Sequence, residues 1–176
     1  MERGGTMDKG KVAILSVLMT FILFQWAGSL LAVNSESTRE TLRGLSGVEV
    51  RVEPLKWIIE QKGLTTAQLR NDTELRLRLA GIRVMSSEES LDAPGKPVLY
   101  VNPRVIKQGS KDKYIFNIRV ELTQRVALAR VPEVKTTVPT WSLSVTGISP
   151  ELSTVREQVK ELLDVFINAY LSVNPE

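Results

Sequence analysis

A chain of 176 residues has room for one domain of ordinary size and a short appendage. Its composition, 43% hydrophobic and 24% charged with 11 Gly and 8 Pro, excludes a disordered or a fibrous protein. The absence of both Cys and His removes disulfides, thiolate nucleophiles, cysteine zinc sites, the usual general base and the Ser-His-Asp triad.

Residues 1–11 carry Glu2, Arg3, Asp8, Lys9 and Lys11, and no charge follows until Glu36. Within that gap Val12 to Phe24 is almost wholly apolar, and small residues follow at Ala27, Gly28 and Ser29. A basic start, an apolar run and small residues are the pattern of an export signal. An uncleaved anchor is the competing reading, because the uncharged span exceeds the roughly 20 residues that cross a bilayer. Residues 1–35 are therefore expected to be a signal peptide or a membrane anchor, with residues 12–33 in the membrane if uncleaved. Both readings put the body outside the cytoplasm, in the periplasm or anchored at the inner membrane. Met7 is an alternative start that keeps the basic flank. Beyond Ser35 there remain 20 Lys+Arg and 18 Asp+Glu, a net of +2, without a basic cluster. A nucleic-acid partner is not expected.

Residues 36–47 are polar and small and are expected to form a tether. A single domain is expected over 48–173. Val48 to Glu53 alternates apolar and polar residues, which predicts a half-buried strand ended by Pro54. Thr65-Thr66-Ala67-Gln68 is a capping box, with Leu64 and Leu69 as its staple. It opens a helix from Thr66 to about Ala80, closed by Gly81. The alternation of Leu75, Leu77 and Leu79 is a rival strand signal, overruled by caps at both ends.

Ile82 to Met85 reads as a strand, so strand, helix and strand suggest a parallel crossover. Ser86 to Pro97 reads as a loop, Val98 to Ile106 as a strand, and Gln108 to Lys113 as a turn. Tyr114 to Leu128 alternates over its length and is the longest strand candidate. Val131 to Pro139 reads as a Pro-flanked link to a strand at Trp141–Val145. Ser149-Pro150-Glu151 is expected to cap a last helix, with Leu152, Val155, Val159, Leu162, Phe166 and Tyr170 on its apolar stripe. Asn174-Pro175 stops it. The expected fold is α+β: a mixed five-stranded sheet in the order β-α-β-β-β-β-α, with two amphipathic helices on one face.

Leu75-Arg76-Leu77-Arg78-Leu79-Ala80-Gly81-Ile82, Pro97-Val98-Leu99-Tyr100-Val101, Thr140-Trp141-Ser142 and the run from Phe166 to Pro175 together resemble a group of uncharacterised exported bacterial proteins. The resemblance spans roughly residues 42–175 and rests on core and cap residues. It implies a fold like the small α+β domains of bacterial envelope proteins, and no activity or functional residue.

Glu88, Glu89 and Asp92 could gather a hard cation, although they lack the alternating oxygens of a calcium loop and fit an exposed acidic turn better. Glu49, Glu53 and Glu121 could meet on the polar sheet face, and a carboxylate pair can hydrolyse glycosides without His or Cys. Arg51, Arg83 and Arg119 are expected on the same face, which favours cross-strand ion pairs. Asn71-Asp72-Thr73 fits a glycosylation sequon but falls within the helix. In Leu55 to Ile59, a helical turn would put Leu55, Ile58 and Ile59 on one side and Trp57 elsewhere. Trp57 is thus the possible partner contact, with core packing as the plainer alternative. Trp141 alternates in phase with Leu143 and Val145 and is expected in the core. No cofactor, metal or catalytic residue is assigned. The expected function is that of an exported, non-catalytic envelope protein that binds or assembles with an envelope protein or glycan; the alternative is a carboxylate-dependent hydrolase acting on envelope glycans.

Overall fold

The computed structural model describes residues 35–109 and 113–175. Apart from Ser35, the export segment and both possible starts lie outside the described residues. In chain order the elements are α1 (Glu36–Glu40), β1 (Val48–Val52), α2 (Trp57–Glu60), α3 (Thr66–Leu79), β2 (Val84–Met85), α4 (Ser87–Asp92), β3 (Val98–Lys107), β4 (Tyr114–Leu128), β5 (Val131–Ser149) and α5 (Leu152–Val173). The five strands make one mixed sheet in the order β2-β1-β3-β4-β5. β1 runs parallel to both of its neighbours, while β3, β4 and β5 are antiparallel. The fold is α+β, with the five strands anticipated from the alternation.

Strand periodicity decides which side of the sheet meets the helices. Val50 and Val52, Leu99 and Val101, Ile118, Val120 and Leu122, and Trp141 and Leu143 are all buried. They share one core with Leu69 and Leu77 of α3 and with Val155, Val159, Leu162, Leu163 and Phe166 of α5. α3 contacts both β1 and α5, and α5 contacts β3, β4 and β5, so the two long helices lie on the same face. Alternate residues such as Arg51, Tyr100, Arg119 and Ser144 stand on the other face, half-exposed or exposed. Among the described residues no long helix covers it, and only α4 reaches its β1–β2 end, where Ser87 meets Glu49.

α3 has the termini its sequence announces. The Thr65 hydroxyl accepts the Gln68 amide at 3.1 Å, and the Gln68 side chain accepts the Thr65 amide at 3.0 Å. At the other end Gly81 takes φ +76°, which lets the Ile82 amide reach the Leu77 carbonyl at 2.9 Å and the Gly81 amide reach Arg78. Leu77 and Ile82 are both buried beneath this turn. Leu75 and Leu79, one helical turn apart, face outward at 56% and 78% exposure. The leucine alternation is therefore a helix showing two faces, not a strand.

Four expectations are corrected. The tether at 36–47 is part of the folded domain: α1 starts there, and Leu42 is fully buried in the core. The Asn174 side chain clamps it, accepting from the Gly44 amide at 2.7 Å and donating to the Leu42 carbonyl at 2.9 Å. Tyr170 adds a third tie by donating to the Leu45 carbonyl. Polar composition hid this because one leucine and several backbone groups carry the attachment.

The loop at Ser86–Pro97 contains α4, which has its own capping box between Ser86 and Glu89. The link at Val131–Pro139 is the first half of a 19-residue strand paired to β4. Its prolines are tolerated because β5 is the last strand of the sheet, where an outward position needs no donor. The final helix starts at Leu152, with Glu151 at its N-cap position and no side-chain cap bond. Ser149 still pairs with Tyr114 in the ladder, so the chain needs two more residues to turn. Its hydroxyl nevertheless accepts the Glu151 amide at 3.1 Å.

Candidate functional site

The uncovered sheet face is built from the polar halves of the alternating strands. The register puts Arg51, Tyr100, Glu121 and Ser142 in one row across β1, β3, β4 and β5. Asn102, Arg119 and Ser144 form the adjacent row. The three carboxylates singled out in the sequence all belong to this face, and each is already engaged. Glu49 is 8% exposed and accepts from Arg51 at 2.8 Å and from the Ser87 hydroxyl at 3.0 Å. Burial pushes its pKa up, but the hydrogen bonds from Arg51 and Ser87 and the Arg51 charge outweigh burial and hold it below 4.5. Glu53 accepts a hydrogen bond from the Tyr100 hydroxyl, which raises the Tyr100 pKa ahead of any effect of burial. Glu121 lies 3.7 Å from Arg119. Arg83 pairs with Glu89 of α4.

That last pair reassigns the acidic turn. Glu89 closes the α4 capping box by accepting the Ser86 amide at 2.7 Å, and it takes Arg83 on its other oxygen. Both interactions favour its charged form and lower its pKa. One of the three acids is thus a helix-terminus device, while Glu88 and Asp92 are exposed on a six-residue helix. Among the described residues no three acidic side chains converge where a metal could be held. Asn71 is exposed in mid-α3, and the sequon threonine, Thr73, is buried with its hydroxyl on the Leu69 carbonyl.

Trp57 is 72% exposed, at the first position of α2, with Ile58 beside it at 44%. Ile58 does not share the buried side with Leu55 and Ile59, as a single helical stripe would require; those two alone enter the core. The turn is nonetheless held firmly. Glu60 accepts from the Thr66 amide at 2.9 Å and from its hydroxyl at 2.7 Å, and the same hydroxyl receives the Leu55 amide. Trp57 therefore projects from a braced turn between β1 and α3. Trp141, by contrast, is 1% exposed.

A small cavity of about 290 Å³ opens on the same stretch of chain, lined by Glu53, Lys56, Asn102, Arg104 and Ile106. It lies at the carboxyl ends of β1 and β3, where an α/β sheet leaves a crevice between parallel strands. The Asn102 side-chain oxygen is buried there with no hydrogen-bond partner among the described residues. Asn102 and Arg104 were not legible in the sequence, because β3 meets the Lys56 segment only in the folded chain. A larger cavity, about 610 Å³, lies beside β1, with Arg51, Arg70, Glu74 and Arg78 among its walls. Its charges are largely paired with each other, Arg51 to Glu49 and Arg78 to Glu74.

No model of a known protein family matches the chain, and neither does any curated protein.

Proposed function

We propose that this is an exported, non-catalytic domain of the bacterial cell envelope that works by binding or assembly, in the periplasm or at the inner membrane. Its contact surface is the braced turn carrying Trp57 and Ile58. One observation carries the reading: a tryptophan 72% exposed, with Ile58 beside it at 44%, on a turn anchored by buried Leu55 and Ile59 and by the Glu60–Thr66 hydrogen bonds. A tryptophan has only two side-chain torsions to fix, so it loses little conformational entropy when a partner covers it, which suits an interface anchor. The neighbouring cavity, about 290 Å³, lies at the bottom of the size range of small-molecule pockets. The export segment in the sequence supports an envelope protein or glycan as the partner.

The hydrolase alternative needs a general acid whose pKa is raised. Glu49 is lowered, and Glu53 and Glu121 are taken up by Tyr100 and Arg119. These observations favour binding. The decisive experiment is recovery of the full chain with its partners from membrane extracts. Trp57→Ala should reduce co-recovered partner at least about tenfold, as truncation of an interface anchor does, at an unchanged melting temperature. Unchanged recovery would remove Trp57 from the function, and recovery of the body in the cytosol with an intact N-terminus would remove the envelope role.

A further inference from the structure

β5 is the last strand of the sheet, and no described element pairs with its outer edge. Which backbone groups face outward follows from the ladder. The Arg125 amide donates to the Gly95 carbonyl and the Lys113 carbonyl accepts from Gln108, so odd-numbered β4 residues turn toward β3. Even-numbered β4 residues therefore turn toward β5, where they pair with Leu143, Val145 and Gly147. The amides and carbonyls of Ser142, Ser144, Thr146 and Ile148 consequently point away from the sheet, unpaired among the described residues. This free edge has fixed limits. At one end the Thr41 hydroxyl donates to the Thr140 carbonyl at 3.3 Å, and at the other Pro150 ends the strand.

We infer that this edge pairs with the same edge of a second copy of the chain, in antiparallel register about a two-fold axis at Val145. Such an axis sets Ser142 opposite Ile148 of the second copy and Ser144 opposite its Thr146. All four are outward-facing residues, so they make hydrogen-bonded pairs, about eight ladder bonds in total. Val145 meets Val145 as a non-hydrogen-bonded pair, and it is half-exposed on the helix side of the sheet, available to be covered. Between Lys135 and Glu151 the strand has no charged residue, so the two-fold brings no like charges together. It also lacks the lysines and inward charges that natural proteins place on edges that must stay single.

A second copy fits better than an open ladder. The far edge of the sheet is β2, only two residues long, so pairing through β5 stops at two chains. The contact is small, at the low end of specific interfaces, and the affinity expected is in the micromolar range.

The test uses the full purified chain in three forms. Wild type should move from monomer to dimer in sedimentation equilibrium between about 1 and 100 µM. Thr146→Lys keeps the backbone but places a charge at the edge; it should weaken the dimer at least about tenfold without changing the melting temperature. Val145→Cys introduces the only cysteine in the chain. In a non-hydrogen-bonded pair the two Cα atoms are about 4.5 Å apart, within disulfide range. Mild oxidation should therefore give a covalent dimer, whereas Ile106→Cys, two strands away from β5, should not. A chain that stays monomeric to about 100 µM overturns the inference. So does a dimer that survives Thr146→Lys, or one that cross-links as readily through Ile106→Cys. Strand addition by a foreign peptide alone would appear as a monomer that fails to cross-link.

Discussion

Trp141 meets Phe166 edge-on, with ring centroids 5.2 Å apart and planes at 69°, where β5 packs on α5. Both rings are essentially unexposed, so removing either opens a void that the surrounding strands cannot close. Trp141→Ala is expected to cost about 3–5 kcal/mol, read from the midpoint of urea unfolding. Gly147 shows the opposite constraint. A methyl group there would lie 2.5 Å from the Phe116 ring, so Gly147→Ala should destabilise by about 1–3 kcal/mol through overpacking. Glu49 contributes to the pH dependence, together with Asp72, Glu60 and Glu89, whose pKa values hydrogen bonds also lower. The folded pKa of Glu49 lies below 4.5, so the stability it contributes is present above that value and lost as the pH falls through the folded pKa. Glu49→Gln should therefore flatten the acid limb of stability below about pH 4.5, as followed by thermal unfolding across pH. At this scale Trp141 was legible from its alternation with Leu143 and Val145. The Glu49 partners were not: Ser87 is 38 residues away in sequence.

Among the elements, the clearest contrast is between α3 and β5. α3 is local in every respect, with a capping box at one end and a left-handed glycine at the other. Thr65→Ala should cost about 1 kcal/mol, because the Gln68 amide then has only water as partner. Chemical denaturation resolves a change of that size. α4 obeys the same rule, since Ser86 and Glu89 have capping-box spacing, but acidic and loop-forming neighbours concealed it. β5 follows no local rule over its first half. Val131 to Pro139 holds two prolines and is exposed almost throughout. It becomes a strand because β4 presents a matching ladder, with an irregularity at Leu122/Thr123 that absorbs one extra residue. Trp57 lies between these cases, as its turn was readable while its exposure depended on how Glu60 and Thr66 join α2 to α3.

For the whole molecule, the chain ends of the domain are tied together. The segment around Leu42 is pinned to the end of α5 by Asn174 and Tyr170 and to β5 by Thr41, and Gln124 donates to the Thr41 carbonyl. The folded domain therefore includes residues 36–47, and that stretch is structural. A tether would tolerate Leu42→Ala without loss. Here that substitution should cost about 2–5 kcal/mol, seen as a lower melting temperature, because Leu42 is fully buried. The same closure leaves the Trp57 turn and the outer edge of β5 exposed, and both functional readings rest on them.

The sequence by itself determined the α+β class, the five strands, both long helices and the caps of α3, because these depend on periodicity and on bonds spanning three or four residues. It also marked Trp57 and the carboxylates as the residues to watch. Tertiary structure alone decided that residues 36–47 join the core, that Val131–Pro139 is a strand, and that Glu49, Glu53 and Glu121 are each engaged by a neighbour. The physical reason is common to all three. A backbone group or charge takes the partner that folding brings within about 3 Å, and those partners lie up to 132 residues away in the chain, as Asn174 does from Leu42.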